Sequence, residues 1–257
     1  MKICIIGGGA MGSALANGLL NGGNITPEEI SIADPEVSKL KSLEERGVNI
    51  YASNIEAVKN ADFIVVAVKP WIVNDVITEI ESIIKPEETE MSFIVAGISC
   101  KDLSNMFRTD LPNRLSIAMP NTAMKVGESM TFLVPISGEP VLASKVFDQV
   151  GLVMKIEERL LPAATALASC GIAYALRYVR AACEGGVELG FRASEAQEII
   201  AQTMTGAVTL LKQPGAHPET EIDKVTTPGG ITIKGLNAME REGFTTAVIE
   251  GLKASRP

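Results

Sequence analysis

Two textures divide the hydrophobic pattern of this chain. Up to about residue 155, short apolar runs recur: "KICIIG" at 2–7, "EISIAD" at 29–34, "DFIVVAV" at 62–68 and "SFIVAG" at 92–97. Each is too short for a helix and is bounded by Gly, Pro or Asp, so each predicts a buried strand. Between them, "AMGSALANGLL" at 10–20 and "PEVSKLKSLEERG" at 35–47 space their apolar residues as helices do. Further strands are expected at 114–118, 130–134 and 151–156. Strands alternating with helices predict a mostly parallel sheet with crossover helices, an α/β domain over residues 1–155.

From residue 156 to residue 257 the period changes. Leu160, Leu161, Ala164, Leu167, Ala168, Gly171, Ala175, Tyr178 and Ala182 fall mostly at steps of three and four, and "SEAQEIIAQTMTGAVTLLK" at 194–212 continues in kind. This half is predicted all-α. Its many Ala and Gly residues let backbones approach closely, as in a tight bundle or an intersubunit helix pair.

Composition narrows the function classes. With 257 residues, 46% of them apolar, the chain can build two modest cores. Its 23 Lys and Arg face 31 Asp and Glu without a basic stripe, which argues against nucleic acid as a partner. Cys4, Cys100, Cys170 and Cys183 have no CxxC spacing, and His217 is the sole histidine. No metal site is expected, His217 reads as a loop or cap residue, and the thiols read as reduced and mostly buried. No signal peptide and no membrane span are expected, which places the protein in the cytoplasm.

The first chemistry-bearing motif is Gly7-x-Gly9-x-x-Gly12, directly after a strand and directly before a helix. In a dinucleotide-binding (Rossmann) domain the first glycine makes the turn, the second admits the pyrophosphate, and the third packs helix on strand. Asp34 ends the second strand, where an acid accepts hydrogen bonds from the adenosine ribose and disfavours a 2′-phosphate. NADH is therefore expected to be preferred to NADPH, although Asp34-Pro35 also fits a plain turn or helix start. "AVKP" at 67–70 brings Lys69 and Pro70 to the carboxyl edge of the sheet; Asn54 is a helix cap or a neighbour of the ribose. "AMPNTAM" at 118–124 follows another strand and by itself reads as a turn.

The second motif is "VTTPGGITIKGLNAMERE" at 225–242. With Thr227 as N-cap and Pro228 as first helical residue, Gly229 and Gly230 would expose backbone N–H groups with no side chains in front of them. Such a helix start attracts a carboxylate or phosphate, and Thr232 adds a hydroxyl beside it. A glycine-softened bend between helices is the alternative.

"GGGAMGSALANGL", "AVKP", "AMPNT" and "HPETEIDKVTTPGGITIKGLNAME" occur in the order and spacing of the pyrroline-5-carboxylate reductases, which this chain resembles over nearly its whole length. The resemblance implies a Rossmann domain followed by an all-α dimerisation domain, and NAD(P)H-dependent reduction of 1-pyrroline-5-carboxylate to L-proline. It further implies a homodimer through the helical domain, assembling in some members to a decamer. Carried over by position, Gly7, Gly9, Ala10, Met11 and Gly12 would cradle pyrophosphate, and Asn54, Val68, Lys69 and Pro70 would line ribose and nicotinamide. Met119, Pro120, Asn121, Thr226, Thr227, Gly229 and Gly230 would bind the substrate, with Thr232 facing the imine nitrogen as the catalytic hydroxyl. The chain departs from the family at Ile117, usually an arginine, at Ala123, often a proline, and at "ASCGIAY" (168–174), usually Ser-Gly-Ser-Gly-Pro-Ala-Tyr.

Other functions remain at this stage. A related cyclic imino acid would suit the same site, and a silent dinucleotide-binding sensor or scaffold would share the first motif. A β-hydroxyacid dehydrogenase has the same layout but relies on a lysine of its interdomain helix, and no lysine occurs here between Lys155 and Lys212.

Overall fold

In the computed structural model, which describes residues 1–255, the chain forms two compact units, Met1–Ser169 and a second from Cys170 onward. The strands of the first unit are β1 (Ile3–Ile6), β2 (Ile30–Ala33), β3 (Asn49–Tyr51), β4 (Phe63–Val66), β5 (Glu90–Phe93), β6 (Arg114–Met119), β7 (Ser129–Ser137) and β8 (Gly151–Lys155). They make one sheet in the order β3-β2-β1-β4-β5-β6-β7-β8. Every pairing is parallel except β6 with β7. Strands β1 and β4 are buried at every position, as continuous apolar runs covered on both faces must be.

Helices α1 (Ala10–Gly22), α2 (Lys41–Glu44), α3 (Asn54–Val58), α4 (Val73–Ile80), α5 (Cys100–Asn105), α6 (Val141–Phe147) and α7 (Leu161–Ala164) complete this unit. Leu15, Leu19, Phe63 and Phe147 belong to one core cluster, Val76, Ile77, Phe93 and Leu103 to another.

Three local expectations change. The stretch 35–47 is broken into a 3-10 turn and the four-residue α2, because only Leu40 and Leu43 of it are buried. Strand β5 begins at Glu90, earlier than its apolar run, because the buried Glu90 carboxylate accepts the N–H groups of Leu142 and Ala143 at the start of α6, at 2.9 and 2.7 Å. A charge at that position conceals a strand from any hydrophobic pattern. The short edge strand β3 was likewise not expected.

The second unit is all-α: α8 (Gly171–Glu188), α9 (Ala193–Leu211), α10 (Pro218–Lys224), α11 (Ile231–Arg241) and α12 (Phe244–Ala254). Helices α8 and α9 cross closely, since a Cβ on Gly186 would lie 2.9 Å from that of Ala196. His217 caps α10, its Nδ1 accepting the Glu219 N–H at 3.3 Å. Among the described residues of this unit only Ala196 is buried; Leu189 and Ile231 are 84% and 86% exposed.

The compact division falls later than residue 155, where the sequence changes texture. Leu161, Ala164 and Ala168, together with Ile156, pack against Met119 and Phe132 of the sheet and so belong to the first unit. The helical run Glu158–Glu188 is long and apolar enough to cross a membrane by length and composition, contrary to the expectation of no such segment. That expectation looked for an unbroken apolar run, whereas here scattered small residues raise the average. Of the four free cysteines only Cys4 is fully buried, fewer than the sequence suggested.

Candidate functional site

The carboxyl ends of β1 to β6 all point to one edge of the sheet, and the chain beyond β1 is pinned there. Gly7 donates its N–H to Ala33 O and Ala67 donates to Ile6 O, both at 2.8 Å. Gly7 has φ +102°, and a Cβ on it would sit 2.8 Å from Ala67 O and 3.0 Å from Val68 Cγ1. A Cβ on Gly12 would lie 1.9 Å from Gly7 O, so helix and turn touch only because both are bare. Gly9 differs, because a Cβ there would meet nothing within 4 Å. It is the N-cap of α1, makes no side-chain capping bond, and is followed by no acidic residue in the first turn. The N–H groups of Ala10, Met11 and Gly12 therefore face space at a positive helix end, and the site fits a pyrophosphate.

At the end of β2, Asp34 Oδ2 accepts the Gly8 N–H and Oδ1 accepts the Glu36 N–H, each at 2.8 Å. The carboxylate is thereby fixed beside the glycine turn. Lys39 is bound to Glu36 at 2.6 Å, and that hydrogen bond holds its ammonium pKa above the ordinary value. Asn54 is not the cap of α3. Ser53 Oγ takes that role by accepting the Glu56 N–H at 3.4 Å, and Asn54 Nδ2 donates to Glu79 Oε2 of α4 at 2.7 Å. Lys69 is exposed and precedes a 3-10 turn opened by Pro70, followed by Trp71, the sole tryptophan, 75% exposed. Ala96 and Gly97, exposed beyond the end of β5, reach the same edge, with Gly97 at φ +81°. Sequence reading passed over them, although the glycine closing an apolar run was a signal.

The loop after β6 also opens on this edge. Met119, Pro120 and Asn121 are buried, and the Asn121 side chain is engaged within its own unit: Oδ1 accepts the Ala123 N–H at 3.0 Å and Nδ2 donates to Ala168 O at 3.3 Å. Ile117, two residues before Met119, is fully buried in the core, so the departure from arginine alters packing beneath the edge.

In the second unit the motif at 225–242 folds otherwise than expected. Thr227-Pro228-Gly229-Gly230 is a β-turn closed by the Gly230 N–H donating to Thr227 O at 2.9 Å. Gly229, with φ +72°, occupies the position where a type II turn needs positive φ. Helix α11 begins only at Ile231, with Gly230 as its N-cap, so Thr227 and Pro228 are turn residues, not cap and first helical residue. Both glycines thus have backbone reasons, because a Cβ on Gly230 would lie 2.5 Å from Thr227 Oγ1. At the start of α11 the cap carries no side chain, the first turn has no acid, and Thr232 is exposed within it. Thr226 is committed locally, its hydroxyl donating to Asp223 O at 3.1 Å.

The structure therefore gathers Gly7, Gly9, Ala10, Met11, Gly12, Asp34, Asn54, Val68, Lys69, Pro70 and the 119–121 loop along one sheet edge. Thr226, Thr227, Gly229, Gly230 and Thr232 share one turn and helix start in the second unit.

A glycine turn feeding a bare helix start, an acid at the end of β2 and a mostly parallel sheet define a dinucleotide-binding unit of the Rossmann type. Residues 2–90 match the family model for NADP oxidoreductases, coenzyme F420-dependent, and residues 158–256 match that for pyrroline-5-carboxylate reductase dimerisation. Pyrroline-5-carboxylate reductase 2 of Dictyostelium discoideum is 33% identical, over 99% of this chain and 90% of the relative. Reductase 1 of the same organism is 36% identical over 98% of this chain, which spans only 48% of that longer relative. The solved pyrroline carboxylate reductase of Plasmodium falciparum, with NADP bound, superposes with a TM-score of 0.87 at 27% identity, covering 99% of this chain and 95% of that one. The chain belongs to the pyrroline-5-carboxylate reductase family.

Proposed function

We infer that this protein catalyses the reaction for which its family is named, the NAD(P)H-dependent reduction of 1-pyrroline-5-carboxylate to L-proline. The observation that carries the site assignment is a pair of helix starts, at Gly9 and Gly230, each with a glycine cap, no side-chain capping bond and no acid in its first turn. One suits a pyrophosphate and the other a small carboxylate.

When bound, the reduced nicotinamide supplies the hydride for the C=N carbon. The N–H groups of Ala10, Met11 and Gly12 hold the dinucleotide phosphates, while Val68, Lys69 and Pro70, with Asn54 nearby, line its ribose and nicotinamide end. Thr227, Gly229 and Gly230, with Thr226 behind them, shape the carboxylate site, and the Thr232 hydroxyl orients the imine nitrogen. Met119, Pro120 and Asn121 close the substrate side of the sheet edge. A protonated imine is already an electrophile, so alignment and a pinned carboxylate suffice without a strong general acid.

NADH is the preferred cofactor in this reading. Support comes from the Asp34 carboxylate beside the glycine turn, where an acid would accept a ribose 2′-hydroxyl, with Glu36 two residues on; a 2′-phosphate would add two or so negative charges beside them. The exposed apolar residues of the second unit suit a second copy of the chain, giving a water-soluble homodimer, or a decamer built from dimers, in the cytoplasm.

Steady-state oxidation of NADH and NADPH with 1-pyrroline-5-carboxylate tests the reading. Proline formation with NADH favoured is expected; turnover with NADPH favoured would remove the role of Asp34 alone. A Thr232→Ala variant with undiminished turnover would remove the role of that hydroxyl.

A further inference from the structure

The helical run that begins at Glu158 does not stay α-helical. Over Thr165–Cys170 it is wound as a π-helix, whose last three residues open the stretch at 168–174 where the sequence departs from the family run. A π-turn disturbs the main-chain bonding of its helix, and such turns concentrate at functional sites. Here a side chain from the loop after β6 meets it: Asn121 Nδ2 donates to Ala168 O at 3.3 Å, and Ser169 Oγ returns a long bond to Pro120 O at 3.5 Å. Because Asn121 takes a main-chain carbonyl, the contact does not depend on which side chain stands at position 168.

Asn121 is only 5% exposed. Besides the bonds of its side chain to Ala168 and Ala123, its N–H donates to Ser129 Oγ at 3.2 Å. What this residue offers the edge is therefore the placement of the loop, not a free functional group. The 3-10 turn that follows this loop is braced by helix α1. A Cβ on Gly18 would lie 2.1 Å from Met124 O, Met124 is fully buried, and Asn21 Nδ2 donates to Lys125 O at 3.3 Å.

We propose that Asn121 is a positioning residue for imine reduction: it fastens the loop of Met119–Thr122 to the π-turn, with Gly18 as the abutment on α1, and so sets the substrate side of the sheet edge. The inference rests on the function proposed above.

Three variants test it, each read by KM for 1-pyrroline-5-carboxylate, kcat, the dissociation constant of NADH, and thermal midpoint. Asn121→Asp keeps the acceptor for Ala123 but sets an oxygen against Ala168 O. Gly18→Ala presses on Met124 from the far side, and Ser169→Ala removes only the return bond. The expected result is a KM raised about tenfold in the first two and about twofold in the third, with NADH affinity kept within about twofold. If only Asn121→Asp raises KM while folded Gly18→Ala and Ser169→Ala do not, Asn121 is a direct ligand and the proposal is wrong. Loss of thermal stability with unchanged KM, or NADH affinity falling in step with KM, would also overturn it. Should Asn121→Asp fail to fold, Gly18→Ala and Ser169→Ala still decide between these outcomes. A wild-type protein inert toward the imine would instead sink the functional reading, and this proposal with it.

Discussion

Asp34 and Gly8 are joined by a 2.8 Å hydrogen bond from the glycine N–H to carboxylate Oδ2, so the acid at the end of β2 also shapes the phosphate turn. One substitution there acts twice. Asp34→Ala removes the proposed ribose acceptor and loosens the turn, and a charge-assisted bond of this kind contributes ~1.5–3 kcal/mol. The dissociation constant of NADH should rise at least about tenfold. That of NADPH should rise less, so the ratio of the two, measured by titration, moves toward NADPH.

Gly9 and Gly12 make a discriminating pair. Gly9→Ala adds a methyl group into open space and should leave the thermal midpoint unchanged while weakening cofactor binding by about tenfold or more. Gly12→Ala drives a Cβ to 1.9 Å from Gly7 O and should destabilise the fold itself by ~1–3 kcal/mol, as overpacking does. Urea denaturation beside cofactor titration separates the two effects; equal loss of stability in both variants would refute the distinction.

Glu90 is fully buried and receives the first N–H groups of α6. Glu90→Ala strands one buried donor, Ala143, at ~1–3 kcal/mol before relaxation, and one half-buried donor, Leu142, at less. A fall in the urea midpoint with the cofactor dissociation constant unchanged is the expected signature.

Burial pushes the Cys4 thiol up to about 12 from 9.0. Cys100 reaches about 12 as well, through burial first and the nearby Glu158 carboxylate second. Well below pH 9 both thiols are protonated folded or unfolded, and stability owes nothing to pH through them. Between about pH 9 and 12 the unfolded chain releases protons that the folded chain retains, so stability falls as pH rises through that window. Native protein at pH 8 should accordingly leave Cys4 and Cys100 unalkylated by iodoacetamide, as peptide mapping would show.

Much of this was legible in the sequence, for definite reasons. The placement of Gly7, Gly9, Gly12 and Asp34 on one sheet edge follows from local spacing, because all four lie within one βαβ unit. At Thr227–Gly230 the approach of a helix was legible while its geometry was not: a type II turn before a helix and a helix start use the same residues, Pro then Gly. Glu90 escaped because a charge in a strand is satisfied by a helix 50 or so residues later, beyond any local pattern. Asn121 was recognised by motif, but its bond to Ala168 O depends on a π-turn that no periodicity announces.

The second unit, in which Ala196 alone is buried among the described residues, has a consequence for biogenesis. A nascent chain emerging from the ribosome can complete its sheet unaided, whereas its helices have too little interior to settle by themselves. In the homodimer proposed above, their final folding step should be second order in polypeptide, so that yield depends on how many chains are made close together in space and time.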